Sequence, residues 1–162
     1  MSYSNTLLRQ VLTETKSIAA VGVSTNPVRP SYYVARYLSL RQYTLFPINP
    51  AYAGQEVFGC EIVDSLATLK DKGITPHMID IFRRSEQAGQ VVDEALELWG
   101  AGLKVIWMQI GVENPEAAAR AEALGITVIM NRCPKIEYQR LFGELRMGGF
   151  NTGLISSKLP RS

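Results

Sequence analysis

The residues best suited to chemistry stand together in one loop between two predicted elements. This loop, residues 22–31, reads Gly-Val-Ser-Thr-Asn-Pro-Val-Arg-Pro-Ser. Glycine lets an anion approach the backbone, and the exposed amide groups at a helix start favour negative charge. Hydroxyl groups add hydrogen-bond donors, and an arginine adds a positive charge. We therefore predict a phosphate site whose candidates are Gly22, Val23, Ser24, Thr25, Asn26, Arg29, Pro30 and Ser31; the alternative is that Gly22 only makes a tight turn.

The same loop departs from the dinucleotide-binding pattern G-x-G-x-x-G. After Gly22, the second and third glycine positions hold Ser24 and Pro27. An NAD site also needs an acid at the end of the second strand, and here that strand ends in the sequence Pro-Ile-Asn-Pro, residues 47–50. Both departures count against NAD. The missing acid counts less against NADP, because its extra phosphate needs a cation.

A second chemically suited group follows the third predicted strand, where Phe82, Arg83 and Arg84 are consecutive. A phenyl ring and guanidinium groups at a strand end can stack on a purine and pair with phosphate. The alternative is that Phe82 belongs to the core and that the arginines are solvated. For Arg84 the two interpretations have equal weight.

Two more candidates follow the fourth and fifth predicted strands. Gln109 is polar where the fourth strand emerges, so we predict that it contacts a ligand. Cys133 comes just after Arg132 and just before a helix that begins with Pro134, and both neighbours favour a thiolate. Cys133 is therefore a reactive thiol facing the ligand or, in the simpler interpretation, a small buried hydrophobic residue.

Residues for acid–base catalysis or metal binding are not apparent in these loops. His77 is the single histidine of the chain, and it stands at the start of the third predicted strand, away from the loops. Glu113 stands alone as an acid, so no carboxylate pair is available. Cys60 and Cys133 have neither metal-ligand nor disulfide spacing. We predict no catalytic residue and no metal site.

Strands and helices alternate around these loops. Compact apolar runs typical of buried strands occur at 18–23, 44–48, 77–82, 103–108 and 126–130, with a short further strand at 56–58. Helical spacing fills the intervals, with Ser31 and Ser85 as predicted helix caps. This alternation predicts an α/β fold, a Rossmann-like, doubly wound, mainly parallel sheet of five to six strands with helices on both faces. A ligand then lies beyond the carboxyl ends of the strands, in the loops 22–31, 47–52 (with Pro47 and Asn49), 82–85, 108–114 and 131–134.

Composition narrows the class of protein. The chain has 162 residues with 46% hydrophobic and 20% charged residues, which suits one globular domain. The net charge of +2 is too small to indicate nucleic acid as the main partner. No apolar stretch approaches the roughly 20 residues of a membrane span, and the start lacks a secretory pattern. We expect a cytoplasmic protein with one domain over residues 1–145 and an extended or mobile tail over 146–162.

Six short blocks of the sequence resemble, in order, the single-domain CoA-binding protein family. The blocks are residues 21–24, 29–35, 47–50, 82–84, 107–111 and 131–133. That family is similar to the N-terminal, CoA-binding domain of the succinyl-CoA synthetase alpha subunit. The resemblance extends over residues 18–141, which is most of the chain.

The resemblance implies that the ligand is coenzyme A or an acyl-CoA. It implies CoA phosphates on Gly22, Val23, Ser24 and Asn26, and further contacts at Pro47, Phe82, Arg83, Met108 and Gln109. No residue matches the phosphorylated histidine of the synthetase, which argues against ligase activity by this chain alone. We expect a binding module that acts as carrier, sensor or regulator. Two alternatives stay open, an NADP-binding redox protein and the CoA-binding subunit of a split acyl-CoA ligase with a separate partner chain; a homo-oligomer also stays open.

Overall fold

The predicted alternation of helices and strands is confirmed. The structure is a computed structural model that describes residues 2–143. The helices are α1 Asn5–Glu14, α2 Pro30–Ser39, α3 Leu66–Asp71, α4 Ser85–Trp99, α5 Pro115–Glu122 and α6 Pro134–Leu141. The strands are β1 Ser17–Val21, β2 Thr44–Ile48, β3 Glu56–Val57, β4 Cys60–Glu61, β5 Met78–Ile81, β6 Val105–Met108 and β7 Thr127–Ile129.

Five of these strands form one parallel sheet in the order β2-β1-β5-β6-β7. The chain moves outward from β1 to β2 and then crosses back to β5, so the strand order reverses between β1 and β5. The sheet thus has five strands, because the segment predicted as a further strand pairs only with its own return strand in a small antiparallel hairpin, β3–β4. The register sets Val21 beside both Ile48 and Ile81, which brings three strand ends to one edge.

Helices cover both faces of the sheet, as the sequence predicts. On one face α3, α4 and α5 bury an apolar cluster that includes Ile79, Ile81 and Met108. On the other face α1, α2 and α6 bury a second cluster that includes Met78 and Trp107. Successive strand residues enter opposite clusters because side chains alternate across a strand, which explains why the sequence shows continuous apolar runs.

Two predicted helix caps are wrong. Helix α2 begins at Pro30, with Arg29 as its N-cap and no side-chain cap bond, so Ser31 lies inside the first turn. Proline suits the first helical position, and it sets the start one residue before the serine. Helix α4 begins at Ser85 itself, with Arg84 as N-cap. Helix α5 does have a side-chain cap, since the Oδ1 atom of Asn114, just before Pro115, accepts a hydrogen bond from the Ala117 amide at 3.0 Å.

The predicted tail over residues 146–162 lies outside the described residues. Within residues 2–143, no helix has both the length and the apolar character needed to cross a membrane.

Candidate functional site

The loops after β1 and β5 touch at the point of strand-order reversal. Gly22 has a φ of +98°, a conformation that favours glycine. A Cβ atom there would lie 3.3 Å from Nε of Arg83 and 3.4 Å from Cβ of Phe82. The Phe82 amide also donates a hydrogen bond to the Val21 carbonyl at 2.9 Å. The structure therefore brings Gly22, Phe82 and Arg83 together, with the guanidinium stem lying over the glycine.

Hydrogen bonds within the loop fix its shape. The Ser24 amide donates to Oγ of Ser31 at 3.0 Å, so the hydroxyl of Ser31 closes the loop instead of capping the helix. The Asn26 amide donates to Oγ of Ser24 at 2.9 Å, and the Val28 amide donates to Oδ1 of Asn26 at 3.1 Å. Serine and asparagine side chains commonly stabilise turns in this way. These polar side chains thus preorganise the loop.

Backbone amides available to an anion are fewer than the resemblance implied. The amides of Gly22 and Val23 both donate to the Ile48 carbonyl, at 2.8 and 3.3 Å. Together with the two bonded amides above, four expected donors are already used. In the part of the chain that the structure describes, the amides of Thr25 and Ser31 have no such partner. They lie at the tip of the loop and in the first turn of α2, where the helix dipole favours negative charge.

Three arginines stand in the loops after β1 and β5 at this edge of the sheet. Arg29 and Arg84 are exposed and precede α2 and α4, and Arg83 is half-buried against Gly22. Among residues 2–143, none of the three forms an ion pair with a carboxylate. Unpaired guanidinium groups beside free amides are suited to a phosphate-bearing ligand.

Asn49 is a positioning residue in this structure. It is buried, its Nδ2 atom donates to the Val23 carbonyl at 3.0 Å, and its Oδ1 atom accepts from the Ala51 amide at 2.9 Å. Both polar atoms are therefore engaged with backbone, and they join the loop after β1 to the end of β2. Pro47 is buried within β2, where its carbonyl accepts from the Val63 amide at 3.0 Å. These two candidates therefore help to fix the backbone that borders the site.

The two candidates after β6 have different surroundings. Met108 is fully buried in the cluster under α4 and α5, so its side chain does not line the edge. Gln109 is 7% exposed, and its Oε1 atom is buried without a hydrogen-bond partner. An unpartnered buried acceptor is costly unless something bonds it. Gln109 thus remains the candidate with unused hydrogen-bonding capacity.

The geometry favours the simpler interpretation of Cys133. The residue is 4% exposed in the cluster under α1, α2 and α6, and burial raises the pKa of its thiol. The amide group of Ile136 and the side chain of Gln109 partly offset that rise. The helix start and the arginine do not outweigh desolvation, because the sulfur is removed from water. Arg132 lies nearby, but its carbonyl accepts the indole N–H of Trp107 at 2.8 Å.

Sequence reasoning missed two polar residues near this edge. Asn131 has a φ of +59°, and its Oδ1 atom accepts from the Gly111 amide at 2.7 Å, which fixes the loops after β6 and β7 to each other. Asparagine tolerates this left-handed conformation, so its position just after a strand was the available signal. Asp80 is fully buried in the central strand, and neither carboxylate oxygen has a hydrogen-bond partner. Desolvation raises its pKa well above the ordinary value.

A separate groove of about 400 Å³ lies at the opposite, amino-terminal edge of the sheet. It is lined by α1 together with His77, Lys104 and Thr127. Nδ1 of His77 accepts a hydrogen bond from the Lys16 amide at 2.9 Å, which ties the residue before β5 to the residue before β1. None of the predicted site residues lies there. Within the described residues, no cluster of three histidine, cysteine, aspartate or glutamate side chains could hold a metal ion.

Comparison with known proteins decides the family. The sequence pattern of the family described as "CoA binding domain" matches residues 16–139. The chain is a member of this CoA-binding domain family. The match includes every strand of the five-stranded sheet and the arginines Arg29, Arg83 and Arg84 at its carboxyl edge.

Relatives of similar size occur in several organisms. The uncharacterized protein YneT of Bacillus subtilis (strain 168) is 35% identical over 131 residues, which are 81% of this chain and 91% of YneT. The structure of cell-free ID.343 from Thermus thermophilus is 33% identical, with a TM-score of 0.75 over 86% of this chain and 100% of that one. A hypothetical protein from Pyrococcus horikoshii OT3 is 32% identical, with a TM-score of 0.77 over 88% and 94% of the two chains. The CoA-binding domain is thus similar to compact proteins of nearly the same length.

Proposed function

We propose that this CoA-binding domain binds coenzyme A or an acyl-CoA as a non-catalytic carrier, sensor or regulatory module. The observation that carries the proposal is that Arg29, Arg83 and Arg84 stand in the loops after β1 and β5, which border the crevice where the strand order reverses, and that none of them forms an ion pair within residues 2–143. Coenzyme A carries a pyrophosphate and a ribose phosphate, so it offers several anionic groups to these cations. The free amides of Thr25 and Ser31 add donors at the same place.

The non-catalytic part of the proposal rests on where the reactive groups lie. His77 is at the other edge of the sheet, held by the Lys16 amide. Asp80 and Cys133 are buried, at 0% and 4% exposed, so neither side chain is open to a bound ligand in this structure. The candidate groups beside the crevice are arginines and backbone amides, which are suited to binding anions.

Isothermal titration with CoA, acetyl-CoA and NADPH tests the ligand class. We expect CoA and acetyl-CoA to bind the wild-type protein and NADPH to bind far more weakly. In Arg83→Gln we expect CoA affinity to fall by about tenfold to a hundredfold, because a charge-assisted hydrogen bond is lost. Arg9→Gln is the matched control, since it removes the same charge from an exposed position on α1.

Three outcomes would contradict the proposal. Binding of NADPH without CoA would point to the redox alternative. Equal affinity of Arg83→Gln and Arg9→Gln for CoA would show that the crevice does not hold the phosphates. A stable partner chain that co-purifies with the protein would favour the split-ligase alternative over an independent module.

A further inference from the structure

Aromatic side chains line the β2 side of the carboxyl edge. They lie outside residues 22–31, the loop with the predicted phosphate site, which we call the phosphate loop. The hairpin β3–β4 follows β2 and turns at Phe58 and Gly59, whose φ angles are +41° and +78°. A positive φ is rare for a bulky residue and costs free energy. The hairpin therefore holds Phe58 in place against a conformational free-energy cost.

The hairpin is firmly attached to the end of β2. The Asn49 amide donates to the Val63 carbonyl and the Val63 amide donates to the Pro47 carbonyl, both at 3.0 Å. At the base of the hairpin, the Gly54 amide donates to the Ile62 carbonyl at 2.8 Å. These bonds fix the hairpin relative to the strand that borders the phosphate loop.

The Phe58 ring meets a ring of helix α2. The ring centroids of Tyr32 and Phe58 are 5.1 Å apart, and the rings meet edge to face at 68°. Tyr32 directly follows Ser31, whose free amide is one of the two predicted phosphate donors. Both rings are only partly buried, so an aromatic wall with accessible surface stands within one helical turn of the phosphate position.

The two directions away from the phosphates offer different chemistry. Toward β2 stand the rings of Tyr32 and Phe58. Toward β6 stands Gln109, with its unpartnered Oε1 acceptor. Coenzyme A also has two different ends, a planar purine and a chain of secondary amides. Purines stack on aromatic rings, and an amide N–H group would bond the glutamine oxygen.

We propose, on the basis of the proposed function, that Tyr32 and Phe58 form the purine-binding wall of the site and that the pantetheine chain runs toward Gln109. This places the base on the β2 side. It replaces Phe82, the ring that the sequence favoured for stacking, because the Phe82 side chain packs against the apolar cluster under α1, α2 and α6.

Substitution of Phe58 by leucine tests the proposal through affinity. We expect Phe58→Leu to bind CoA about tenfold or more weakly, since stacking on one ring is lost. We expect the same variant to bind 4′-phosphopantetheine, which has no purine, as the wild-type protein does. Phe142→Leu is the matched control, because it makes the same change at the partly exposed end of α6.

A second variant keeps the test independent of any loss of stability. In Phe58→Trp, stacking of the purine should quench the new tryptophan fluorescence when CoA is added, and 4′-phosphopantetheine should leave it unchanged. Unchanged CoA affinity in Phe58→Leu together with no quenching in Phe58→Trp would overturn the assignment, as would a purine-specific loss that follows Phe82→Leu instead. If the wild-type protein binds no CoA at all, the proposed function itself fails, and that result is visible before any variant is made.

Discussion

Gly22 must be glycine for two reasons, its positive φ and the space that Arg83 and Phe82 leave for it. We predict that Gly22→Ala lowers the free energy of unfolding by about 1–3 kcal/mol and also weakens CoA binding, since the new Cβ displaces the guanidinium group. Urea unfolding and calorimetric titration measure the two effects. Gly73→Ala is the control, because Gly73 has a φ of +78° with no atom within 4 Å of its added Cβ. That variant should lose stability and keep its affinity; equal loss of affinity in both variants would contradict the argument.

The burial of Asp80 predicts that the stability of the protein depends on pH. Its folded-state pKa is raised by burial, so its favourable contribution is present below the ordinary aspartate pKa of about 3.9 and is lost as pH rises through the raised value. We predict that Asp80→Asn, a neutral isostere, unfolds with the same free energy as the wild-type protein near pH 4 and is more stable at pH 8. Chemical denaturation across this pH range measures the difference. If the free energies of unfolding of the two proteins changed in parallel with pH, ionisation of buried Asp80 would not be what lowers stability at pH 8.

Residue type and spacing predicted the glycine, hydroxyl and arginine content of the crevice. They could not predict which candidates face it. Met108 and Gln109 are neighbours at the end of a strand, and the side chains of such neighbours point to opposite faces. Because β6 is buried on both faces, its apolar run does not indicate which of its residues point toward which layer of helices. The bond from Nδ2 of Asn49 was equally hidden, since its partner is the Val23 carbonyl in the loop after β1.

At helix starts, local sequence rules succeeded for α5 and failed for α2. Asn114 followed by Pro115 satisfies two preferences at once, the capping side chain and the proline, and the helix begins there. Before α2 the two preferences compete, because Pro30 precedes Ser31. The proline takes the first helical position, and the serine hydroxyl then bonds the Ser24 amide across the loop. A tertiary contact of this kind cannot be deduced from propensity alone.

The packing of α4 on α5 leads us to expect that replacing a glycine in α4 by alanine lowers the stability of the protein. Gly89→Ala would ordinarily stabilise a helix by about 1 kcal/mol. Here the added Cβ would lie 3.0 Å from Nδ2 of Asn114, the residue that caps α5. We predict that Gly89→Ala is destabilising in the wild-type protein and stabilising in an Asn114→Ala background. Urea unfolding of the four proteins measures this coupling; additive effects would show that the cap moves aside without cost.

For the whole molecule, the unpaired arginines predict a strong dependence of binding on salt. A ligand that binds only the folded protein raises apparent stability by RT ln(1 + [L]/Kd). We predict that CoA raises the melting temperature and that the rise shrinks as sodium chloride is added, because exposed cations such as Arg29 and Arg84 are screened. Thermal denaturation at several salt concentrations measures this. A salt-independent shift would mean that contacts other than the arginines hold the ligand.

The global architecture was the most predictable part of the protein. Alternating apolar runs and helical stripes specify parallel pairing with right-handed crossovers, and these place the loops after the strands at one edge. The reversal between β1 and β5 comes from the strand order of the structure, which the alternation alone does not specify. The hairpin β3–β4 was not predictable in the same way, since its two-residue strands are too short to show a period.

The edges of the sheet have a consequence for self-association. On the outer side of β2, Pro47 has no amide hydrogen and its carbonyl is already bonded to Val63, and the opposite edge strand β7 has three residues. Long rows of unpaired backbone groups are what allow one chain to add a strand to another and aggregate. Neither edge of this sheet offers such a row. Copies of this protein that associate would therefore meet through their helical faces and not through a continuous intermolecular sheet.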